Sequence, residues 1–284
     1  MASTTHPRRM QKNDPKYFDY AASSPPYREA LDVFAEVSAR FFANPSSMHR
    51  SGAICRKKLG ELRNSLCDLL GFSDGRLFIT SSATEVNNTI VQGHLQRNPS
   101  GKVFLAENVH DSLWFARQMY GDRSGSIKIN NYGQVEKQEI LTTIGKKPTL
   151  LCISHGCNET GTKQHLEEIA ALCYYHQVPL LVDGAQTTGR ISLKVDEIPC
   201  SYYTFSAHKF GAPRGIGGAF IRDGAFGPML YGGPQEWGLR AGTECIAGLA
   251  ASVEALQSSL DKIHTETTRL DQLKSLLLQN LKQA

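Results

Sequence analysis

The sequence has no run of about 18 apolar residues, so we expect no helix that crosses a membrane. It also lacks a dense run of lysine and arginine, and its basic residues are not interleaved with aromatic ones. The net charge of +4 is small for 284 residues. Nucleic-acid-binding domains concentrate basic charge on one surface, so we expect no nucleic acid among the partners.

Cysteine spacing gives no sign of a structural metal site. No two cysteines form a Cys-x-x-Cys pair, and their number, seven, is odd. Most have apolar neighbours, which is typical of reduced thiols, so we predict a cytoplasmic protein without a metal site. Residues 1–16 lack the apolar segment of a signal peptide and are predicted to be disordered. The cysteines are Cys55, Cys67, Cys152, Cys157, Cys173, Cys200 and Cys245.

Between residues 76 and 221, short β-prone runs alternate with amphipathic segments. The alternation predicts a three-layer α/β fold with a mostly parallel sheet, in which ligands bind beyond the carboxyl ends of the strands. We also expect a short strand at 17–20 and a helix from about Thr243 to the end. The leucines in the last turns of that helix must pack against the main domain, another subunit or a further domain.

Lys209 lies at the end of a strongly β-prone, aromatic run at 202–205. Ser206 and His208 stand beside it, and glycines and a proline then turn the chain sharply. A partly desolvated amine in this position suits a nucleophile held in a pocket. A lysine that extends from a strand end to solvent fits the same stretch equally well.

Polar groups follow four other predicted strands, of which the first three along the chain are the following. The segment 80–85 opens a helix, where hydroxyl and backbone N–H groups can bind phosphate, although an ordinary helix cap explains the same residues. His110 follows the strand at 102–106, and Asn158 follows the strand at 148–154. Each of these two side chains has either a ligand-binding or a purely structural role.

Asp183 directly follows an apolar strand at 179–182. Burial of an ionised carboxylate is costly without a partner, so we expect a cationic or protonated group to meet it. A protonated pyridine nitrogen would serve, and Lys209 would serve as the amine that bonds to the aldehyde of the same cofactor. With a phosphate-binding turn and an imidazole, these groups meet the needs of pyridoxal phosphate.

A set of polar residues occurs in a characteristic order along the chain: Thr84, His110, Asn158, Asp183, Gln186 and Lys209. The motifs around them are Phe18 to Ala22, Asn44 to His49, Ser82 to Glu85, Asn158 to Gly161, Val182 to Gln186, Ser206 to Lys209, Gly232 to Glu236 and Gly238 to Glu244. On these motifs the chain resembles the class V aminotransferase family, and within it the cysteine desulfurases of the NifS/IscS type. Each motif alone is weak, but their joint order is highly specific.

The resemblance implies the large domain of the fold type I pyridoxal-phosphate-dependent transferases at 17–250, followed by a helix at 251–284 that leads to a small domain. Lys209 looks like the lysine that bonds to the cofactor and moves protons on the substrate carbon. Asp183 would hold the pyridine nitrogen protonated, and His110 would stack on the ring and assist proton transfer.

The resemblance also implies the remaining contacts to the cofactor. Gln186 would bond to the ring hydroxyl, and Asn158 would contact the ring or the substrate. Thr243 would reach the phosphate of the other subunit in a homodimer. The residues expected around the phosphate are Ser82, Ala83, Thr84, Ser206 and His208.

The sequence departs from the desulfurase pattern in one large respect. In that group a further C-terminal domain carries the nucleophilic cysteine in a loop of small residues, whereas this sequence stops at Ala284 in the helix expected to lead there. None of the seven cysteines lies in such a loop. Two smaller departures are Ser82, where glycine is usual, and Trp237, where arginine is common.

Four hypotheses remain open. The first is a pyridoxal-phosphate-dependent cysteine desulfurase-like transferase, which converts L-cysteine to alanine and a persulfide for iron–sulfur clusters or thio-cofactors. It would need a sulfur-acceptor protein or a companion chain. The second is a lyase that cleaves the C–S bond of cysteine or cystine without an enzyme nucleophile. The third is a related aminotransferase or selenocysteine lyase, and the fourth is a catalytically incomplete relative that serves as a scaffold.

Overall fold

The computed structural model of the protein describes residues 17–222 and 224–283. The predicted disorder of residues 1–16 falls outside these ranges. Within them, no helix combines the length and the apolar character needed to cross a membrane. The same residues contain no group of three or more His, Cys, Asp or Glu side chains placed to hold a metal ion.

Seven short strands within the described ranges form a single sheet. They are β1 (Arg76–Thr80), β2 (Val103–Ala106), β3 (Ser124–Ile127), β4 (Leu150–Ser154), β5 (Leu180–Asp183), β6 (Tyr202–Ser206) and β7 (Gly217–Ile221). Their order across the sheet is β1-β7-β6-β5-β4-β2-β3. β7 is antiparallel to both of its neighbours, and the other paired strands are parallel. The predicted α/β fold with a mostly parallel sheet is therefore confirmed.

Seven α-helices accompany the sheet in the part of the chain that the structure describes. They are α1 (Arg28–Arg40), α2 (Arg50–Leu69), α3 (Ala83–Arg97), α4 (Asp111–Tyr120), α5 (Lys137–Ile144), α6 (Leu166–Tyr175) and α7 (Ile246–Gln283). α7 packs against α1 and α2, α3 packs against α4 and β7, and α5 packs against α6. Helix α5 is not among the elements that the sequence alternation predicts.

The central strands β4, β5 and β6 are buried along their whole length. A strand that is covered on both faces has a continuous apolar sequence instead of an alternating one. The sequences of β4, β5 and β6 are of this continuous type. Two tyrosines of β6 bring polar atoms into the core, and each hydroxyl is paired. Tyr202 Oη lies 2.8 Å from His94 Nε2, and Tyr203 Oη lies 2.9 Å from His155 Nδ1.

The predicted strand at 17–20 does not form. The segment turns at residues 20–22 instead, and the Tyr17 hydroxyl donates to the carbonyl groups of Asp19 and Ser23. These local hydrogen bonds replace strand pairing, because the segment crosses the carboxyl edge of the sheet rather than joining it. There, Ser24 N donates to the carbonyl oxygen of His208 (3.1 Å).

Helix α7 runs through the predicted domain boundary at residue 250. Its first half is buried in the core through Leu249, Ala251 and Leu256. Within the described residues, the leucines of its last turns are exposed. The exposed leucines are Leu270, Leu273, Leu276, Leu277, Leu278 and Leu281.

A buried carboxylate holds the loop after β7 against the sheet. Glu236 forms an ion pair with Arg63 of α2 and accepts a hydrogen bond from Ile79 N of β1 (3.0 Å). Burial raises the pKa of Glu236, and the Arg63 guanidinium opposes this effect. Glu236 and Trp237 have φ values of 47° and 57°, a left-handed conformation that non-glycine residues keep only where their surroundings enforce it.

We expect the substitution Arg63→Met to lower the free energy of unfolding by about 3–5 kcal/mol, because it leaves the Glu236 carboxylate buried without its cationic partner. Urea denaturation at neutral pH, followed by circular dichroism, measures the change. The control is Arg28→Met, which removes an exposed ion pair with Asp32 and should cost less than about 1 kcal/mol. Equal losses in the two variants would contradict the assignment of Glu236 as a buried anchor.

Candidate active site

A cavity of about 220 Å³ opens at the carboxyl edge of the sheet, where the ends of β1, β2, β4, β5 and β6 meet. Ten of the eleven predicted site residues line it. They are Ser82, Ala83, Thr84, His110, Asn158, Asp183, Gln186, Ser206, His208 and Lys209. The remaining lining residues are Ala22, Ser112, Ser154, Gly156 and Ala185.

Thr243 is the predicted residue that the structure leaves outside the cavity. It lies in the segment just before α7, and its side chain is exposed. Cys157 is buried and also does not line the cavity. Burial acts to raise the pKa of its thiol, but hydrogen bonds from the Thr160 hydroxyl and the backbone of Thr160 and Glu159 lower it overall.

A larger cavity of about 790 Å³ lies at the opposite, amino-terminal edge of the sheet. It is bordered by residues of α6 and by the starts of β5 and β6, including Tyr175, Pro179 and Ser201. None of the predicted site residues lies there. Ligands of parallel α/β sheets bind at the carboxyl edge, so we take the smaller cavity as the candidate active site.

Asp183 is buried at the end of β5, and two neutral donors satisfy it. Asn87 Nδ2 of α3 donates to Oδ2 (3.0 Å), and Ala185 N donates to Oδ1 (3.0 Å). Among the described residues no ion pair involves Asp183. The protein thus orients this carboxylate without neutralising it, and an ionised carboxylate can accept further hydrogen bonds from a cationic ligand group.

His110 caps the amino terminus of α4, and its ring is exposed at the cavity. Nδ1 accepts a hydrogen bond from the backbone N of Ser112 (3.0 Å) and lies 3.0 Å from Ser112 Oγ. Asn87 Nδ2 donates to the same hydroxyl (3.0 Å). His110 and Asp183 are therefore linked through two buried side chains.

The Lys209 amine donates to the carbonyl oxygen of Ala21 (2.6 Å), in the segment that turns across the cavity. Gln186 Nε2 donates to the same carbonyl (3.1 Å). Arg190 holds this arrangement together. Its guanidinium donates to the carbonyl groups of Lys209 and Tyr20, and to Gln186 Oε1 (3.0 Å).

Two effects lower the pKa of Lys209. The larger is burial, and the second is the positive charge of Arg190; Asp183 and Asp19 oppose them. Burial also lowers the pKa of His208, together with the charges of Lys209 and Arg214. A lowered pKa increases the fraction of Lys209 in the neutral form, which is the form that attacks a carbonyl group.

We expect Arg190→Gln to raise the pKa of Lys209, because it removes the neighbouring positive charge while keeping a hydrogen-bonding side chain. The fraction of neutral amine at pH 7 then falls. The measurement is the rate at which the chain captures pyridoxal phosphate as a function of pH, and the profile should move to higher pH. Arg190→Lys retains the charge and should leave the profile near that of the native chain; a shift to lower pH in Arg190→Gln would refute the assignment.

The amino terminus of α3 faces the cavity and is suited to an anion. Ser82 Oγ accepts a hydrogen bond from Glu85 N (3.2 Å), so the expected helix cap is present. Ala83 N donates to Ser206 Oγ of β6 (2.8 Å), which joins the helix start to the sheet. Thr84 presents its hydroxyl and its backbone N–H in the first turn, where the helix dipole favours negative charge.

Gly217 allows this turn to approach the sheet closely. A Cβ atom at Gly217 would lie 2.5 Å from the Cα and carbonyl carbon of Ser82. Any larger residue would therefore push the α3 terminus away from β7. Glu85, whose carboxylate binds Ser81 and Arg240, fixes the same turn from its other side.

The residues at the cavity fit pyridoxal phosphate. An amine that bonds to an aldehyde, a buried carboxylate with capacity for a pyridinium, and a helix start with donors for a phosphate converge on one cavity. Asn87, Ser112 and Arg190 complete the site, and sequence reasoning missed all three. Asn87 could have been noticed in the sequence as a polar residue among the apolar positions of α3. For Ser112 and Arg190 we find no local signal in the sequence.

The chain is similar to known proteins over most of its length. It is 28% identical over 271 residues to a cysteine desulfurase IscS from Dictyoglomus turgidum, covering 93% of this chain and 69% of that protein. A solved structure described as a NifS-like protein matches with a TM-score of 0.87 at 26% identity, covering 94% of this chain and 75% of that one. The structure of SspA in complex with cysteine matches with a TM-score of 0.79 at 26% identity. The match covers 88% of this chain and 77% of that one.

The fold is that of the fold type I pyridoxal-phosphate-dependent transferases. Within that class the chain belongs to the aminotransferase class-V family, whose model matches residues 16–284. The expected family is therefore confirmed.

Proposed function

We propose that this protein is a pyridoxal-phosphate-dependent enzyme that removes sulfur from L-cysteine. The observation that carries the proposal is the convergence of Lys209 and Asp183, from the adjacent strands β6 and β5, on a cavity beside the amino terminus of α3. The naming of the relatives as cysteine desulfurases supports the reaction, and the complex of SspA with cysteine supports the class of substrate.

Each cavity residue has a distinct task in this proposal. Bound pyridoxal phosphate supplies an aldehyde that bonds to amines and a ring that withdraws electrons from the substrate carbon. Lys209 would hold the aldehyde and would take the proton from the substrate Cα. Asp183 would keep the pyridine nitrogen protonated, and His110 would contact the ring.

The remaining residues orient the cofactor. Thr84, Ser206 and His208 would bind the phosphate, with Ser82 and Ala83 shaping the turn. Gln186 would bond to the ring hydroxyl, which requires its amide to share or exchange its contact with Ala21. Asn158, exposed at the cavity, would contact the ring or the substrate.

A homodimer is part of the proposal. Thr243 is exposed and outside the cavity of its own chain, which is compatible with a contact to the phosphate of a second subunit. The exposed side chains of Tyr231 and Trp237 lie in the preceding segment, where such an interface would bury them. A cytoplasmic location is proposed from the cysteine content alone.

The sulfur leaves through a thiol that is not one of the seven cysteines. Five of them are buried, and neither Cys67 nor the exposed Cys245 lines the cavity. We therefore place the acceptor thiol outside these 284 residues, and we propose a sulfur-acceptor protein or companion chain as the partner that supplies it. The overall step is L-cysteine plus a thiol giving alanine plus a persulfide, which would feed iron–sulfur clusters or thio-cofactors.

A second candidate is a C–S lyase. No cysteine side chain lines the cavity within the described residues, and elimination from cysteine needs only the Lys209 base and the bound cofactor. That reaction gives pyruvate, ammonia and sulfide from L-cysteine and water. It differs from the first candidate in its carbon product.

The test starts from the purified chain with added pyridoxal phosphate. We expect a visible absorption band that borohydride removes and that leaves the cofactor attached to Lys209, located by mass spectrometry of the peptides. L-Cysteine is then added with dithiothreitol as the acceptor thiol. Alanine with sulfide supports the desulfurase, pyruvate with sulfide supports the lyase, and the absence of the band contradicts both.

A further inference from the structure

A continuous chain of hydrogen bonds runs beneath the cavity from β6 to α4. Thr204 Oγ1 donates to Asn87 Oδ1 (3.0 Å), and the nitrogen of the same amide contacts Asp183 Oδ2 and Ser112 Oγ, each at 3.0 Å. Ser112 Oγ in turn lies 3.0 Å from His110 Nδ1. Asn87 and Thr204 are fully buried, and Ser112 is buried although it also lines the cavity.

The direction of every hydrogen bond in this chain is determined. An ionised carboxylate only accepts, so Asn87 must turn its nitrogen toward Asp183 and its oxygen toward Thr204. The second hydrogen of that nitrogen goes to Ser112 Oγ, which accepts it. The hydroxyl hydrogen of Ser112 is then left for His110 Nδ1.

The nitrogen Nδ1 of His110 therefore receives two donors, the hydroxyl and the backbone N–H of Ser112. A nitrogen that accepts hydrogen bonds carries no proton of its own. In a neutral imidazole the proton must then lie on Nε2, the ring nitrogen that remains for a ligand in the cavity.

We propose that Asn87 is a positioning residue that couples Asp183 to His110. Through Ser112 it holds His110 as the neutral tautomer with its proton on Nε2, while it orients the Asp183 carboxylate. His110 then donates a hydrogen bond from Nε2 to a substrate atom that carries a lone pair, such as a thiolate or a carboxylate oxygen. Proton removal is left to Lys209. The assignment to a substrate rests on the proposed function, whereas the tautomer does not.

The test measures the tautomer directly in the cofactor-free protein. Long-range proton–nitrogen correlation spectra of the chain labelled with ¹⁵N-histidine distinguish a bare Nδ1 from a protonated one. The His110 signals are those lost in His110→Gln. In the native chain at neutral pH we expect a protonated Nε2 and a bare, hydrogen-bonded Nδ1.

Two substitutions break the coupling at different links. Asn87→Ala frees the Ser112 hydroxyl, and Ser112→Ala removes it. In both, the Nδ1 resonance of His110 should move and the tautomer ratio should fall by roughly two- to tenfold, as expected for the loss of one hydrogen bond. Ser112→Thr keeps the hydroxyl and should retain the native signals, which separates the coupling from a general loss of packing.

Asn88→Ala is the matched control. Asn88 follows Asn87 in α3, and its amide donates to the carbonyl oxygens of Thr84 and Ser112 without joining the chain to Asp183. It should leave the His110 signals unchanged. The proposal is overturned if native His110 carries its proton on Nδ1, or if Asn87→Ala and Ser112→Ala both leave its signals unmoved. Neither result depends on cofactor binding, so the proposed reaction is judged separately.

Discussion

The substitution Lys209→Ala is expected to abolish the borohydride-sensitive absorption band and to reduce turnover of L-cysteine by at least roughly 10²- to 10⁴-fold, the contribution typical of a single general base. Lys209 is the amine at the carboxyl edge of β6, and its pKa is lowered by burial and by Arg190. No other lysine lines the cavity within the described residues. Absorption spectra and alanine release measure the two effects.

Two further variants separate the covalent role of Lys209 from its charge. Lys209→Arg keeps a positive charge but cannot bond to an aldehyde, so it should lose the band as completely as alanine does. Lys194→Ala removes an exposed lysine that does not line the cavity and should keep both the band and turnover. If the band persists in Lys209→Ala, another amine holds the cofactor and the assignment is wrong.

The strand alternation predicted the layers of the fold but not the direction of β7. The run 217–221 is apolar throughout, and a fully buried strand carries no sign of its direction. The length of the connection between β6 and β7 did indicate the direction of β7. Only residues 207–216 separate β6 from β7, which is short for the crossover that a parallel pair requires. The order of the strands across the sheet depends on tertiary packing, which local sequence does not encode.

The site residues also divide into those that the sequence predicted and those that it did not. Ten of the eleven predicted residues converge because parallel strands end at one edge, and the sequence marks those ends with polar residues. Asn87 and Arg190 reach the site from a helix interior and from a turn, where no strand end marks them. Asp183 was expected to meet a cationic or protonated group, and for the pyridine nitrogen of a bound cofactor this stays a prediction. Within the described residues its two donors are neutral N–H groups, which can also satisfy a buried carboxylate.

The substitution Asp183→Asn is expected to keep the absorption band and to lose turnover. Lys209 remains available to bond to the cofactor, so the band should form. A neutral amide cannot stabilise a protonated pyridine nitrogen, whereas a nearby carboxylate raises the pKa of a cationic partner by about 1–3 units. We therefore expect turnover of L-cysteine to fall by roughly 10- to 1000-fold, measured as alanine release at saturating substrate.

The same substitution should also destabilise the chain. Both carboxylate oxygens of Asp183 accept from fixed donors, Asn87 Nδ2 and Ala185 N, and an amide has only one oxygen to offer. One donor is left without its acceptor, at a cost of about 1–3 kcal/mol in the free energy of unfolding. Asp111→Asn, at an exposed carboxylate in the first turn of α4, should change neither turnover nor stability to that extent.

Turnover and stability together decide what Asp183 does. A loss of stability with native turnover would mean that its carboxylate only anchors Asn87 and the turn at Ala185. A loss of turnover with the band intact would mean that its charge acts on the bound cofactor, because Lys209 still holds the aldehyde in that variant. We expect both losses, since the carboxylate accepts from two protein donors and also lines the cavity.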